Sequence, residues 1–322
     1  MILCITHSKD YYTIDLVIDA IRSEGMEAIR FNSDQFDYTS SFTFENNEFS
    51  FEDNILQNIA PEKIKAVWNK KIWRPSIPHE LDSTYNRIYL QEYSTMRNIF
   101  MESFQHVPWM NTPEADRKVA DNKMYQLQMA AQNGLSTPPT LMTNSAQKVQ
   151  KFFKEQCKGE MIAKMHGVLS HSMDGKGPSF PTSKVNEEDF EQLKDSLKYC
   201  PMIFQPFIKK QYELRVVYID GEIYTGMIKT GEECADWRQQ SITTFEWKKY
   251  ILPESINKKI VATMQSMNLL FGAMDFIVDN NGNYVFLEVN PQGEWGMIQK
   301  FTHQPIAETI AEKLINLIKN DA

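Results

Sequence analysis

The residues best placed to do chemistry lie in GAMDFIVDNNGNYVFLEVNPQGEW, residues 272–295. A two-residue Asn-Gly turn takes positive φ at both central positions, so Asn281-Gly282 predicts a hairpin in which Asn280 faces Asn283. Counting back sets Asp275 directly opposite Glu288, with Asn290 two residues on along the same face. The other face then pairs Met274, Phe276 and Val278 with Val289, Leu287 and Val285 as a core layer. Opposed carboxylates repel, so a fold either leaves that face in water or sets a cation against it. An Asp/Glu/Asn set offers oxygen ligands only, which suits Mg²⁺ better than zinc and leaves coordination positions for water and phosphate oxygens. The turn Asn290-Pro291-Gln292-Gly293, where a ligand loop would begin, favours the metal.

Positive side chains recur upstream. Lys164 sits late in the apolar strand EMIAKM (160–165), where a lysine either reaches the surface or finds an anion. Lys123 lies in a preceding helix. The apolar strand MIFQPFI (202–208) breaks at Pro206, and residues 212–230 follow as a hairpin about Asp220-Gly221. Alternation puts Glu213, Arg215 and Val217 on one face, with Lys229 near the open end. Arg238 stands beside an aromatic ring in Asp236-Trp237-Arg238. As a surface ladder such charges contribute only roughly 0–1 kcal/mol. Converging on a Mg²⁺ hairpin, they would serve phosphoryl transfer, whose catalysis is mostly positioning and charge neutralisation.

The elements that must hold these groups follow from periodicity. Residues 2–6 (ILCIT) read as a buried strand, and Ile14, Val17, Ile18 and Ile21 mark one face of a helix ended by Gly25. A strand at about 26–31 completes a β-α-β unit, without the G-x-G-x-x-G of a dinucleotide site. Residues 42–51 predict a hairpin about Asn46-Asn47; Ile64–Trp68 reads as a strand and residues 83–104 as a helical stretch. Asn111-Thr112-Pro113-Glu114 starts a helix expected to run to Gly134, after which LSTPPT (135–140) leads into a strand. A helix near 145–157 and the strand at 160–165 end in a glycine- and serine-rich loop, His166–Pro181. It lacks the P-loop spelling and would cover a nucleotide as a lid.

Composition narrows the class. A chain of 322 residues, 42% hydrophobic, can build two or three lobes with their own cores. A net charge of −8 argues against non-specific binding to nucleic acid or to an anionic membrane. The four cysteines have no Cys-x-x-Cys spacing and read as reduced thiols, and no apolar run is long enough to span a bilayer, so a cytoplasmic protein is expected. No Ser-His-Asp or Cys-His arrangement stands out.

The order Lys123, Lys164, the break at Gln205–Ile208, Glu213-Leu214-Arg215, Arg238 and Asp275…Glu288-Val289-Asn290-Pro291 resembles the ATP-grasp fold. The opening MILCITHSKDYYTIDLVIDAIRSEG, VWNKKIWRP (67–75), residues 123–144, DWR and LEVNPQGEWGMIQKFTHQPIAETIAEKL (287–314) are similar to the graspetide synthetases, the peptide macrocyclases of microviridin-type precursors. The resemblance implies an α/β (α+β) chain: an N-terminal pre-ATP-grasp β-α-β lobe (1–112), a central ATP-grasp lobe (113–204) and a C-terminal lobe (205–322). Asp275, Glu288 and Asn290 would hold Mg²⁺ on ATP, with Lys123 and Lys164 on phosphate oxygens or adenine. Gln205, Pro206, Phe207 and Ile208 would line adenine through backbone groups, and Glu213 would take the ribose hydroxyls. Arg215, Lys229 and Arg238 would face the γ-phosphate and the reacting carboxylate. Pro206 departs from the glutamate common at this hinge and offers a carbonyl but no N–H. Lys229, where some relatives carry arginine, gives a point charge in place of a fork.

The implied reaction activates Asp or Glu side chains of a precursor peptide as acyl phosphates, which a hydroxyl or amine then attacks; the overall pattern favours esters. A leader segment would dock on the acidic helix at 186–199 through Glu191 and Asp195, and a homodimer would fit the family. Two other readings stay open: an amino-acid ligase of the same fold, resembling ribosomal-protein glutamate ligases or glutathione synthetases, and a non-catalytic nucleotide-binding protein.

Overall fold

The structure, a computed structural model, describes residues 1–10, 12–51, 61–166, 182–231, 234 and 246–321. The chain opens with β1 (Ile2–Thr6), α1 (Thr13–Ser23) and β2 (Ala28–Asn32). Every residue of β1 is buried, as expected for the middle strand of a sheet covered on both faces. Helix α1 buries Ile14, Val17, Ile18 and Ile21, the predicted stripe, and the chain leaves it through Gly25 at φ +79°. Strands β3 (Phe42–Glu45) and β4 (Glu48–Phe51) pair about Asn46 and Asn47, both at positive φ, the turn expected from the sequence. Strand β5 (Ala66–Asn69) lies parallel to β1 on the side away from β2, and α2 (Asn86–Glu102) follows. Both neighbours of β1 are thus parallel to it, and their carboxyl ends share one edge.

Thr112 caps α3 (Pro113–Ala120) as the Thr-Pro signature predicts. The helix does not run on to Gly134. It breaks at Asp121-Asn122, where the Asn122 side chain accepts the Tyr125 N–H and starts α4 (Lys123–Gln132). That cap makes Lys123 the first residue of a new helix. Strand β6 begins only at Leu141 (Leu141–Thr143), because Ser136 instead bridges to Val285 of the far sheet. Helix α5 (Ala146–Glu155), β7 (Met161–Lys164), β8 (Ser183–Val185), α6 (Glu187–Leu193) and β9 (Met202–Pro206) complete the central lobe, whose sheet runs β6-β9-β7-β8. Strand β9 continues past residue 204, so the boundary expected there falls inside a strand of this sheet.

The last lobe is a five-stranded antiparallel sheet in the order β12-β11-β10-β13-β14. Its strands are β10 (Lys210–Ile219), β11 (Glu222–Ile228), β12 (Lys248–Lys249), β13 (Phe271–Asp279) and β14 (Tyr284–Asn290). Helix α7 (Glu254–Ser266) covers one face, burying Ile260 and Met264 against Met274, Phe276 and Val289. Helices α8 (Gly296–Thr302) and α9 (Ile306–Asp321) return over the N-terminal lobe, where Ile310 and Leu314 share one core with Ile14, Val17 and Trp295. First and last lobes are therefore packed together, which fixes the loop after β14 against the carboxyl edge of the first sheet. No helix among the described residues is long and apolar enough to cross a membrane.

Candidate active site

Strands β13 and β14 set Asp275 opposite Glu288, the predicted register, but by a different route. Asp279 N–H donates to the Asn283 carbonyl and Gly282 N–H to the Asp279 carbonyl, so three residues, not two, close the turn. Only Gly282 has positive φ, at +81°. The Asp279 carboxylate accepts from the N–H groups of Asn281 and Asn283, which stabilises this longer loop. A bulge between Asp275 and Phe276 then restores the register by one residue. Phe276 therefore meets Phe286 and Val278 meets Tyr284, in place of the Leu287 and Val285 expected. Leu287 is released from the core layer and lines the cleft below.

Each opposed carboxylate has a cation from the protein itself. Arg215, on β10 directly beside Asp275, donates from Nη1 to Asp275 Oδ1 at 2.9 Å. Lys123 Nζ, at the start of α4, lies 2.8 Å from Glu288 Oε2. The rest of the Arg215 fork donates to the Glu294 carbonyl, from Nε at 3.3 Å and Nη2 at 3.1 Å. Asn290 follows on β14, exposed, its Oδ1 accepting the Gln292 N–H. The donor set is oxygen only, two carboxylates and an amide on one strand pair, and no group of three or more His, Cys, Asp or Glu side chains that could hold a metal forms among the described residues. Mg²⁺ fits such a set because it completes its octahedron with waters and substrate phosphates.

A cleft separates this sheet from the central one. One wall is Ile162, Lys164, Gln205, Pro206, Phe207 and Ile208; the other is Glu213, Asp275, Ile277, Leu287 and Glu288. Apolar and charged side chains thus line the same cleft, a mixture that suits a flat base joined to an anionic chain. Gln205 is buried and donates to Thr140 Oγ1 at 2.9 Å. The Phe207 N–H donates to the Glu160 carbonyl at 2.8 Å, so its contribution to a base is its carbonyl and its ring. Lys184 Nζ stands 3.8 Å from that ring's centroid. Glu213 Oε1 accepts from Lys210 Nζ at 2.7 Å and Thr230 Oγ1 at 3.3 Å.

The structure brings together Lys123, Lys164, Gln205, Pro206, Phe207, Ile208, Glu213, Arg215, Asp275 and Glu288, with Asn290 at the edge. Lys229 is exposed one residue beyond the last ladder pair, Glu213↔Ile228. Glu191 and Asp195 are exposed on and after α6; Glu191 pairs with Lys194, and Asp189 forms a capping box with Asn186. Arg238, Asp236-Trp237 and residues 167–181 of the glycine-rich loop lie outside the described residues.

Three groups escaped the sequence reading. Lys210 is buried and pairs with Glu213, and its only signal is a strand-initial lysine three residues before an acid. Lys70, also buried, lies 2.7 and 2.8 Å from the two oxygens of Asp10 and 3.1 Å from Glu294 Oε1. His7 stacks flat on Trp73 at 3.6 Å, and burial pushes its imidazole down to about 4, leaving it neutral.

Asp116, buried on α3, ties the loop after β14 to the first sheet: its Oδ2 accepts from Gln292 Nε2 and Asn69 Nδ2, both at 3.0 Å. Burial raises its carboxyl to about 7 against these hydrogen bonds. A raised acid favours the fold below its ordinary value near 3.8, and that contribution is lost as pH rises through about 7. Asp116→Asn, which keeps the accepting oxygen without the charge, is expected to gain on the native protein between pH 5 and pH 8. The gain in Tm is roughly 2–4 °C, checked by thermal melts at both pH values.

Comparison with known proteins agrees with this geometry. A family model described as the MvdD pre-ATP grasp domain matches residues 1–117, and one described as the RimK-like ATP-grasp domain matches residues 120–315. The chain is similar to macrocyclase MdnB from Microcystis aeruginosa MRC, at 33% identity and a TM-score of 0.80, over 98% of each chain. It is also similar to a RiPP-associated ATP-grasp ligase of Chryseobacterium gregarium solved with ADP and a leader and core peptide. There the identity is 30% and the TM-score 0.86, over 98% of this chain and 96% of that one. The tetrahydromethanopterin:alpha-L-glutamate ligase of Methanocaldococcus jannaschii is 25% identical over 290 residues, 81% of this chain and 90% of that one. With two opposed carboxylates, their cations and an apolar hinge in one cleft, the chain belongs to the RimK-like ATP-grasp family, as an ATP-dependent ligase of its RiPP-associated, graspetide-type branch.

Proposed function

We propose that this ligase activates side-chain carboxylates of a ribosomally made precursor peptide with ATP and closes them onto hydroxyls or amines of the same peptide, forming ω-ester or ω-amide rings, with esters favoured. The observation that carries the reading is the cleft itself. Pro206, Phe207 and Ile208 line it together with two carboxylates, Asp275 and Glu288, that Arg215 and Lys123 already hold. Likeness over nearly the whole chain to a ligase solved with leader and core peptide supports a peptide as the substrate. The free thiols and the lack of a membrane-crossing helix among the described residues are consistent with a cytoplasmic enzyme, and we propose a homodimer as its working form.

In this reading Asp275, Glu288 and Asn290 hold Mg²⁺, which when bound draws charge from the β- and γ-phosphate oxygens. The walls around Gln205, Pro206, Phe207 and Ile208 take the adenine, and Glu213, steadied by Lys210, takes the ribose hydroxyls. Lys123 and Lys164 neutralise phosphate oxygens. Arg215, with Lys229 and Arg238, orients the incoming peptide carboxylate, whose oxygen attacks the γ-phosphorus to give an acyl phosphate and ADP. Holding both peptide side chains in one site converts ring closure into a local reaction, worth up to about 7–11 kcal/mol in ideal cases.

A leader segment would dock on α6 and its flank. Replacing Glu191 and Asp195 together with Ala is expected to weaken binding of a labelled leader peptide about tenfold. Unchanged affinity in a fluorescence titration would remove α6 from the recognition surface.

The likeness to a glutamate ligase supports a second reading, transfer of a free amino acid to a carboxylate. ADP release separates the two: stimulation by the precursor peptide alone favours the macrocyclase, and stimulation that needs free glutamate favours the rival.

A further inference from the structure

The loop after β14 carries one more carboxylate, Glu294. Gly293 lets this loop press onto the site, since a Cβ there would lie 2.5 Å from Ala273 Cβ and 2.7 Å from Arg215 Nη2. That approach puts the Glu294 carbonyl on Arg215, the residue that also holds Asp275. The Glu294 side chain reaches Lys70, and the triad Asp10–Lys70–Glu294 counts two carboxylates against one ammonium. Its members differ in access: side-chain exposure is 1% for Asp10, 3% for Lys70 and 28% for Glu294. Tyr12, half exposed, stands at the rim with its hydroxyl donating to the Gly296 carbonyl at 3.2 Å. The triad sits past the carboxyl ends of β1 and β5, where the first sheet changes direction about β1. Ligands of open α/β sheets bind at such edges.

Resting on the macrocyclase reading, we infer that Glu294, held by Lys70, is the general base of ring closure. The second half of that reaction needs one. A lone pair of the peptide hydroxyl or amine forms a bond to the acyl carbon. The acyl carbon–oxygen bond to phosphate breaks, and its electron pair leaves with inorganic phosphate. The nucleophile's proton passes to Glu294 Oε2 and then to water. A carboxylate fixed on one oxygen by an ammonium, with partial exposure and a backbone locked to Arg215, is suited to take a proton from a group bound beside Arg215. Arg215 serves the first half-reaction and Glu294 the second, and a single short loop sets their separation.

The test uses the full-length enzyme, ATP, Mg²⁺ and a synthetic peptide matching the precursor encoded beside its gene. Ring closure is read by intact mass, and acyl phosphate is trapped in parallel as a hydroxamate with hydroxylamine, a nucleophile strong enough to need no enzymic base. Glu294→Gln keeps the backbone contact to Arg215. It is expected to form hydroxamate at the native rate while ring closure slows about 10²–10⁴-fold. Ring closure at the native rate would overturn the inference, and so would loss of hydroxamate and rings together, which would place Glu294 in carboxylate activation. A native enzyme that leaves the peptide unchanged would instead contradict the macrocyclase reading, and the inference with it.

Discussion

Asp275→Asn is expected to give a folded protein whose ATP-dependent activity falls about 10³-fold. The asparagine oxygen still accepts from Arg215 Nη1, so the guanidinium, also held by the Glu294 carbonyl, keeps its place. What is lost is charge. With Glu288 already beside Lys123, removing Asp275 leaves one carboxylate where two are needed to attract a divalent ion. The variant should therefore need more Mg²⁺ at half-maximal rate as well as turning over slowly. Steady-state ADP release over a Mg²⁺ series checks both. Native activity at ordinary Mg²⁺ would remove Asp275 from the metal set.

Lys70→Met is expected to cost about 3–5 kcal/mol of stability, because it removes the ammonium that meets both oxygens of the buried Asp10 carboxylate. Its contacts reach Glu294 in the last lobe, so the loss should fall on the junction of first and last lobes. Adding Asp10→Asn to Lys70→Met removes the charge that the ammonium balanced and should recover much of the loss, a coupling that a double-mutant cycle in urea measures. Additive effects would show that the pair is not energetically linked.

Much of the fold could be read from local chemistry. The α1 stripe, the Asn46-Asn47 and Asp220-Gly221 turns and the Thr112 cap follow from residues a few positions apart, and each is found. The site was legible where strand alternation carries it: Glu213 and Arg215 on one face, Asp275 against Glu288. The route to that last pair was not. Asp279 binding its own turn lengthened the loop by one residue, and the bulge at Leu287 cancelled the shift, two deviations that no local preference couples. The α3–α4 break was hidden because one asparagine cap decides it. Lys70 and Lys210 were hidden for a different reason. Lysines on strand edges are ordinarily solvated, and these are buried only because carboxylates distant or three residues away meet them in the folded chain. Contacts such as Arg215 with the Glu294 carbonyl, 79 residues apart within the last lobe, come from tertiary packing and leave no pattern in sequence.

The most direct measurement is the intact mass of the precursor peptide after incubation with the native enzyme, ATP and Mg²⁺, with Asp275→Asn alongside. Successive losses of one water per ring, absent with the variant, are the predicted result, and hydroxylamine treatment of the product then separates esters from amides. A peptide that gains an amino-acid residue, or keeps its mass while free glutamate drives ADP release, would contradict the macrocyclase account.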